Sequence, residues 1–113
     1  MMMEINVTDP KETVTLVEVS GRIDSMSANE FGSGITSQID VGKVQLVLDL
    51  SSVEYMSSAG LREIVTNLKR AKKASGDLRL AQPSQRVREV LEMAGLDTVF
   101  RIYTTQDDAI NSF

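Results

Sequence analysis

The 113-residue chain carries 12 basic and 16 acidic side chains, a net charge of −4, and neither cysteine nor histidine. The first absence removes disulfide frameworks and thiolate metal sites, the second removes the commonest general base and metal ligand, and the acidic balance opposes binding to a nucleic-acid backbone. The length fits one domain spanning residues 1–113; with no apolar run near the ~20 residues that cross a bilayer and no leader-like start, a cytoplasmic protein with no membrane partner is expected.

Glu4 to Thr8 alternates apolar and polar residues, and Thr13 to Ser20 is rich in Val, Leu and Thr. A hairpin turning at Asp9-Pro10-Lys11-Glu12 accounts for both. Ser27 stands at capping-box spacing before Glu30, and Phe31, Ile35 and Ile39 follow on one i, i+4 row, which predicts a helix weakened by Gly32 and Gly34 and closed by Gly42. Val44 to Leu50 is a near-continuous apolar run, the pattern of a central strand.

From Ser58 the residues Leu61, Ile64, Val65, Leu68 and Ala71 fall at helical spacing, with Lys69, Arg70, Lys72 and Lys73 before Gly76. Such a basic end complements the helix dipole and is ordinarily solvated. Asp77 to Ala81 reads as a short strand, and Pro83-Ser84 introduces a helix striped by Val87, Val90, Leu91 and Ala94 and ended by Gly95. Val99 to Tyr103 is predicted as the last strand, with Thr105 capping a terminal helix through Asp108.

Strands alternating with helices imply right-handed crossovers and an α/β fold with a mostly parallel sheet, to which the hairpin adds an antiparallel edge. Binding surfaces of open sheets gather where strands end and helices begin, so Ser20–Asp24 and Tyr55–Gly60 are expected at one edge. A hydroxyl at the start of the Ser58 helix lies where backbone N–H groups and the helix dipole favour negative charge, a suitable place for a phosphate. Read alone, Ser57 or Ser58 is an N-cap, Asp24 a turn residue or cap, and Asp49 an acceptor for turn N–H groups. Met56 reads as core filling, and Tyr55 is the better contact candidate of the two.

The segments Leu48-Asp49-Leu50-Ser51 and Met56-Ser57-Ser58-Ala59-Gly60-Leu61, with the turn Gly21-Arg22-Ile23-Asp24 and the pair Ser27-Ala28, resemble the STAS domains of bacterial anti-sigma factor antagonists. The family pattern has a Gly-x-Leu/Ile-Asp turn and a later Asp-Leu-Ser…Asp-Ser-Ser-Gly-Leu segment, and the resemblance spans nearly the whole chain. It implies a single STAS domain, α/β, with a mixed, mostly parallel sheet of four to five strands and alternating helices packed mainly on one face. It implies that Ser58 is the serine phosphorylated by a partner kinase, with Ser57 a rival acceptor, and that Asp24 lies beside it. Asp24, Ser27, Tyr55, Met56, Ser57, Ala59, Gly60 and Arg62 would form the partner-binding surface. Ser57 stands where better-known members carry aspartate, and Ala59 where they carry a second serine.

The same resemblance implies a partner-switching cycle without catalytic residues, metal or cofactor in this chain. The partners would be an anti-sigma factor that is itself a serine kinase, and so brings the ATP and magnesium, and a PP2C-type phosphatase that resets the serine. Ser57 in the aspartate position motivates an alternative, a STAS scaffold or accessory subunit that never cycles. A serine hydrolase is disfavoured, since there is no histidine to act as base and no Gly-x-Ser-x-Gly elbow.

Overall fold

A computed structural model describes residues 2–113. In chain order the elements are β1 (Glu4–Lys11), β2 (Val14–Ile23), α1 (Ala28–Asp40), β3 (Gln45–Met56), α2 (Ser58–Lys73), β4 (Asp77–Ala81), α3 (Gln85–Met93), a 3-10 turn (Leu96–Thr98), β5 (Ile102–Tyr103) and α4 (Gln106–Asn111). The five strands form one sheet in the order β1-β2-β3-β4-β5. The β1–β2 pair is antiparallel and every later pair is parallel, as crossover helices require.

Alternation along the strands divides the apolar residues between two faces. Leu46, Leu48 and Leu50 of β3 join Val17, Val19 and Ile23 of β2 beneath Phe31 and Ile35 of α1, Leu61, Ile64 and Leu68 of α2, and Val87 and Leu91 of α3. The intervening Val14, Leu16, Val47 and Ala81 face the other way and are covered by Ala109 and Ile110 of α4. The helix layer is therefore mainly on one face, with α4 covering part of the other.

Four boundaries differ from the sequence expectations. β1 continues through Pro10 to Lys11, so the hairpin turns at Glu12 and Thr13; β1 is an edge strand, where a proline without an N–H is tolerated. Second, β2 and β3 run on past Ser20 and Leu50, pairing Ser20 with Ser52, Gly21 with Val53, Arg22 with Tyr55 and Ile23 with Met56 across two register shifts. The third difference is a last strand reduced to Ile102–Tyr103, because the N–H groups of Val99 and Phe100 bond to the Leu96 carbonyl in the 3-10 turn. Finally, Ser27 makes no capping box with Glu30; it precedes α1 without capping it through its side chain.

Gly21 is required where it stands. Its φ is +95°, and a Cβ there would run into the Met2 carbonyl oxygen, so this bend in β2 admits no side chain. Asp49, 4% exposed, accepts from the Ser51 N–H at 2.8 Å and the Gln82 amide at 3.0 Å, and also from the Gln106 amide. Gln106 donates further to Glu18 at 3.0 Å, which fastens α4 to the sheet. Asp49 is thus a structural acceptor, but for a strand N–H and two side-chain amides where turn N–H groups are expected from the sequence.

Candidate functional site

The two strand exits are joined by a backbone bond. The Ser57 N–H donates to the Ile23 carbonyl at 2.8 Å, carrying the β2–β3 ladder one residue past β3 and setting the turn after β2 beside the start of α2. The expected meeting of these two segments at one sheet edge is therefore present. Each connection is shorter than the sequence suggests. Ser57 is the only residue between β3 and α2, and residues 24–27 alone separate β2 from α1.

Asp24 organises that second connection. One of its carboxylate oxygens accepts the backbone N–H groups of Met26 and Ser27, both at 3.0 Å, and the Ser27 hydroxyl lies 3.1 Å away. The Ser27 hydroxyl also accepts the Asp24 N–H at 3.0 Å and contacts the Arg22 carbonyl at 3.0 Å. These bonds, led by the Ser27 N–H and hydroxyl and then the Met26 N–H, hold the Asp24 carboxyl below its ordinary value of 3.8, so it is ionised throughout the neutral range. Asp24 and Ser27 together fix the loop; Glu30 has no part in it. Beside them Met26 is 91% exposed, an apolar side chain presented on an otherwise polar loop.

At the start of α2 the two serines have different surroundings. Ser57 is the N-cap, with extended backbone at φ −80° and ψ 167°, and its Oγ accepts the Gly60 N–H at 3.2 Å. It is half-buried. Ser58 is the first helical residue and is exposed, and its hydroxyl has no hydrogen-bond partner among the described residues. Among the described residues no base is hydrogen-bonded to that oxygen, so the hydroxyl is accessible but is not held as a primed nucleophile.

The surrounding residues sort by exposure. Met56 is only 2% exposed and Gly60 is also buried, so neither supplies the contact surface expected of it. A Cβ on Gly60 would lie 2.5 Å from the Met56 sulfur and 2.7 Å from Ile23 Cγ2. The pair packs α2 closely onto the ends of β2 and β3, which sets the height of Ser58 above the sheet. Ala59 and Tyr55 are half-buried, and Arg62 is exposed one turn along α2. The Arg22 guanidinium lies over the Tyr55 ring, 4.6 Å from its centroid, within cation–π range.

Met26 and Arg22 also lie at this corner, though neither is among the candidates expected from the sequence. Met26 had a signal, as an apolar residue isolated in the polar run Asp24-Ser25-Met26-Ser27 and outside any helical or strand period. Arg22 opposite Tyr55 had none, since their pairing depends on a register shift. Among the described residues no cluster of three or more His, Cys, Asp or Glu side chains could hold a metal ion, and no helix is long and apolar enough to cross a membrane.

Residues 5–109 match the family model described as STAS domain. BtrV of Bordetella bronchiseptica is 32% identical over 84% of this chain and 82% of its own length. The anti-sigma-B factor antagonist of Bacillus subtilis is 29% identical over 96% of this chain and 99% of its own. Among solved structures, an anti-sigma factor antagonist from Mycobacterium paratuberculosis superposes with a TM-score of 0.88 at 30% identity, covering 98% of this chain and 93% of that one.

Proposed function

This chain belongs to the STAS domain family, and from that membership we propose that it is a cytoplasmic anti-sigma factor antagonist governed by phosphorylation of Ser58. Unmodified, it docks on an anti-sigma factor that is also an ATP-dependent serine kinase, and so frees the sigma factor. The kinase then modifies Ser58, the complex dissociates, and a PP2C-type phosphatase restores the hydroxyl. ATP and magnesium are the kinase's; this chain is substrate and ligand.

The observation that carries the reading is the exposed, unpartnered Ser58 hydroxyl on a corner that the Ser57–Ile23 backbone bond fastens to the Asp24 loop. Met26, Tyr55, Ala59 and Arg62 surround that corner with apolar and cationic groups suited to a protein surface. The rival acceptor Ser57 is half-buried and engaged as the cap of α2, its Oγ accepting the Gly60 N–H. A phosphoserine brings roughly −1.5 to −2 charges. Pressed against a like charge at about 4 Å, each unit costs ~4 kcal/mol at an effective dielectric of about 20, on the order of a thousandfold in affinity.

Incubation with the host's anti-sigma factor kinase and labelled ATP tests the acceptor. Ser58→Ala is expected to abolish incorporation and Ser57→Ala to retain it; a Ser58→Ala protein labelled at the wild-type rate overturns the assignment. The non-cycling scaffold rests on Ser57, whose hydroxyl is committed to the cap where relatives of the family carry aspartate. Equal partner binding by wild type, Ser58→Ala and Ser58→Asp would favour it.

A further inference from the structure

We infer that Arg62 is the intramolecular receptor for the phosphoryl group on Ser58, an inference that rests on the reading of Ser58 as the modified residue. The two residues are four apart in α2, which places them on one face, about 6 Å apart along the axis. Both are exposed, and they line the same cleft between α2 and the segment after α3, with Val65 and Leu96 on its walls. An anion N-terminal to a cation at this spacing is the favoured order on a helix.

Arg62 is uncommitted. Among the described residues the ion pairs are Lys43–Asp9 at 2.8 Å and Arg79–Asp77 at 3.0 Å, and the Arg62 guanidinium takes part in no hydrogen bond. The single acid of α2, Glu63, is half-buried and set against Gly32 of α1, away from the cleft. Lys69 borders the same cleft but lies 11 residues from Ser58, about 16 Å along the axis and beyond reach. The planar fork of a guanidinium matches phosphate oxygens two at a time, which an ammonium does not. Phosphorylation thus acts twice. It adds negative charge at the corner, and it withdraws from any docked partner a cation that the unmodified protein offers it.

The test is phosphorus NMR of the full chain with phosphoserine placed at position 58 during translation. The second phosphate ionisation of wild type is expected about 0.3 of a pH unit below that of Arg62→Gln, roughly a twofold change in its dissociation constant. Arg62→Lys should retain part of the shift, and Lys69→Gln should titrate with wild type; Asp24, Lys69 and Asp97 are unchanged in the Arg62 variants and cancel from that comparison. Coincident wild-type and Arg62→Gln curves, or an equal displacement by Lys69→Gln, overturn the inference. Because no kinase is used, this result is independent of whether Ser58 is the cellular acceptor, which the labelling experiment decides separately.

Discussion

Two adjacent serines with the same side chain have opposite prospects, and the difference lies in which free N–H of the helix each can reach. Ser57 has the extended backbone of an N-cap and accepts from Gly60, so Ser57→Ala should cost about 1 kcal/mol of stability. Ser58 makes no such bond, and Ser58→Ala should fall within about 0.5 kcal/mol of wild type. Urea denaturation of the two variants separates them; equal destabilisation would mean that the cap has been misplaced. Asp24 illustrates the same economy, since a single one of its carboxylate oxygens meets two loop N–H groups and a hydroxyl.

At the scale of elements, α1 and α2 are keyed together by Asn67, which is fully buried. Its amide donates to the Glu63 carbonyl at 2.9 Å and the Gly32 carbonyl at 3.4 Å, and its oxygen accepts from the Thr36 hydroxyl at 2.7 Å. Asn67→Ala removes all three bonds and should cost about 2–3 kcal/mol. Hydrogen exchange should show α1 and α2 opening more readily while α4, held to Asp49 and Glu18 by Gln106, is unaffected. The helices and the central strand were legible in the sequence because their apolar periods are long and clean, as in Leu61, Ile64, Leu68 and Ala71. The far ends of β2 and β3 were not. The expected central strand stops at Leu50, whereas Ser51, Ser52 and Glu54 continue β3 and are all exposed. Two register shifts there leave no compositional trace, which also hid the Arg22–Tyr55 pair. Ser27 and Glu30 matched a capping box by spacing alone, and the competing carboxylate of Asp24 took the serine instead. The meeting of the serine turn with the turn after β2 was legible from the alternation of strands and helices, but which serine caps α2 needed backbone angles that spacing does not encode.

The whole molecule keeps its core away from the Ser58 corner. Ser58 is exposed, while the buried apolar residues lie beneath α1, α2 and α3. New charge at Ser58 therefore meets solvent and the free N–H groups of α2, and not the interior. Phosphorylated protein and Ser58→Asp are accordingly expected to match the far-UV circular dichroism of wild type and to melt within a few degrees of it. Affinity for the anti-sigma factor should fall steeply in both, more so with phosphate, which carries about twice the charge of aspartate. A cooperative loss of structure on phosphorylation would replace ejection by local repulsion with ejection by unfolding. Because the forms differ by the added charge, the difference between their affinities should shrink as salt screens it.

The backbone bond from Ser57 to Ile23 also bears on how an enzyme could reach the neighbouring hydroxyl. A kinase that reads a loose, extended peptide would have to pull this residue out of its first helical turn and break the ladder bond behind it. Under the proposed cycle, the modifying enzyme would instead have to accept this folded corner, recognising a shape assembled from two distant stretches of chain. Selectivity then resides in the tertiary surface, and a linear copy of the sequence around Ser58 would lack most of it.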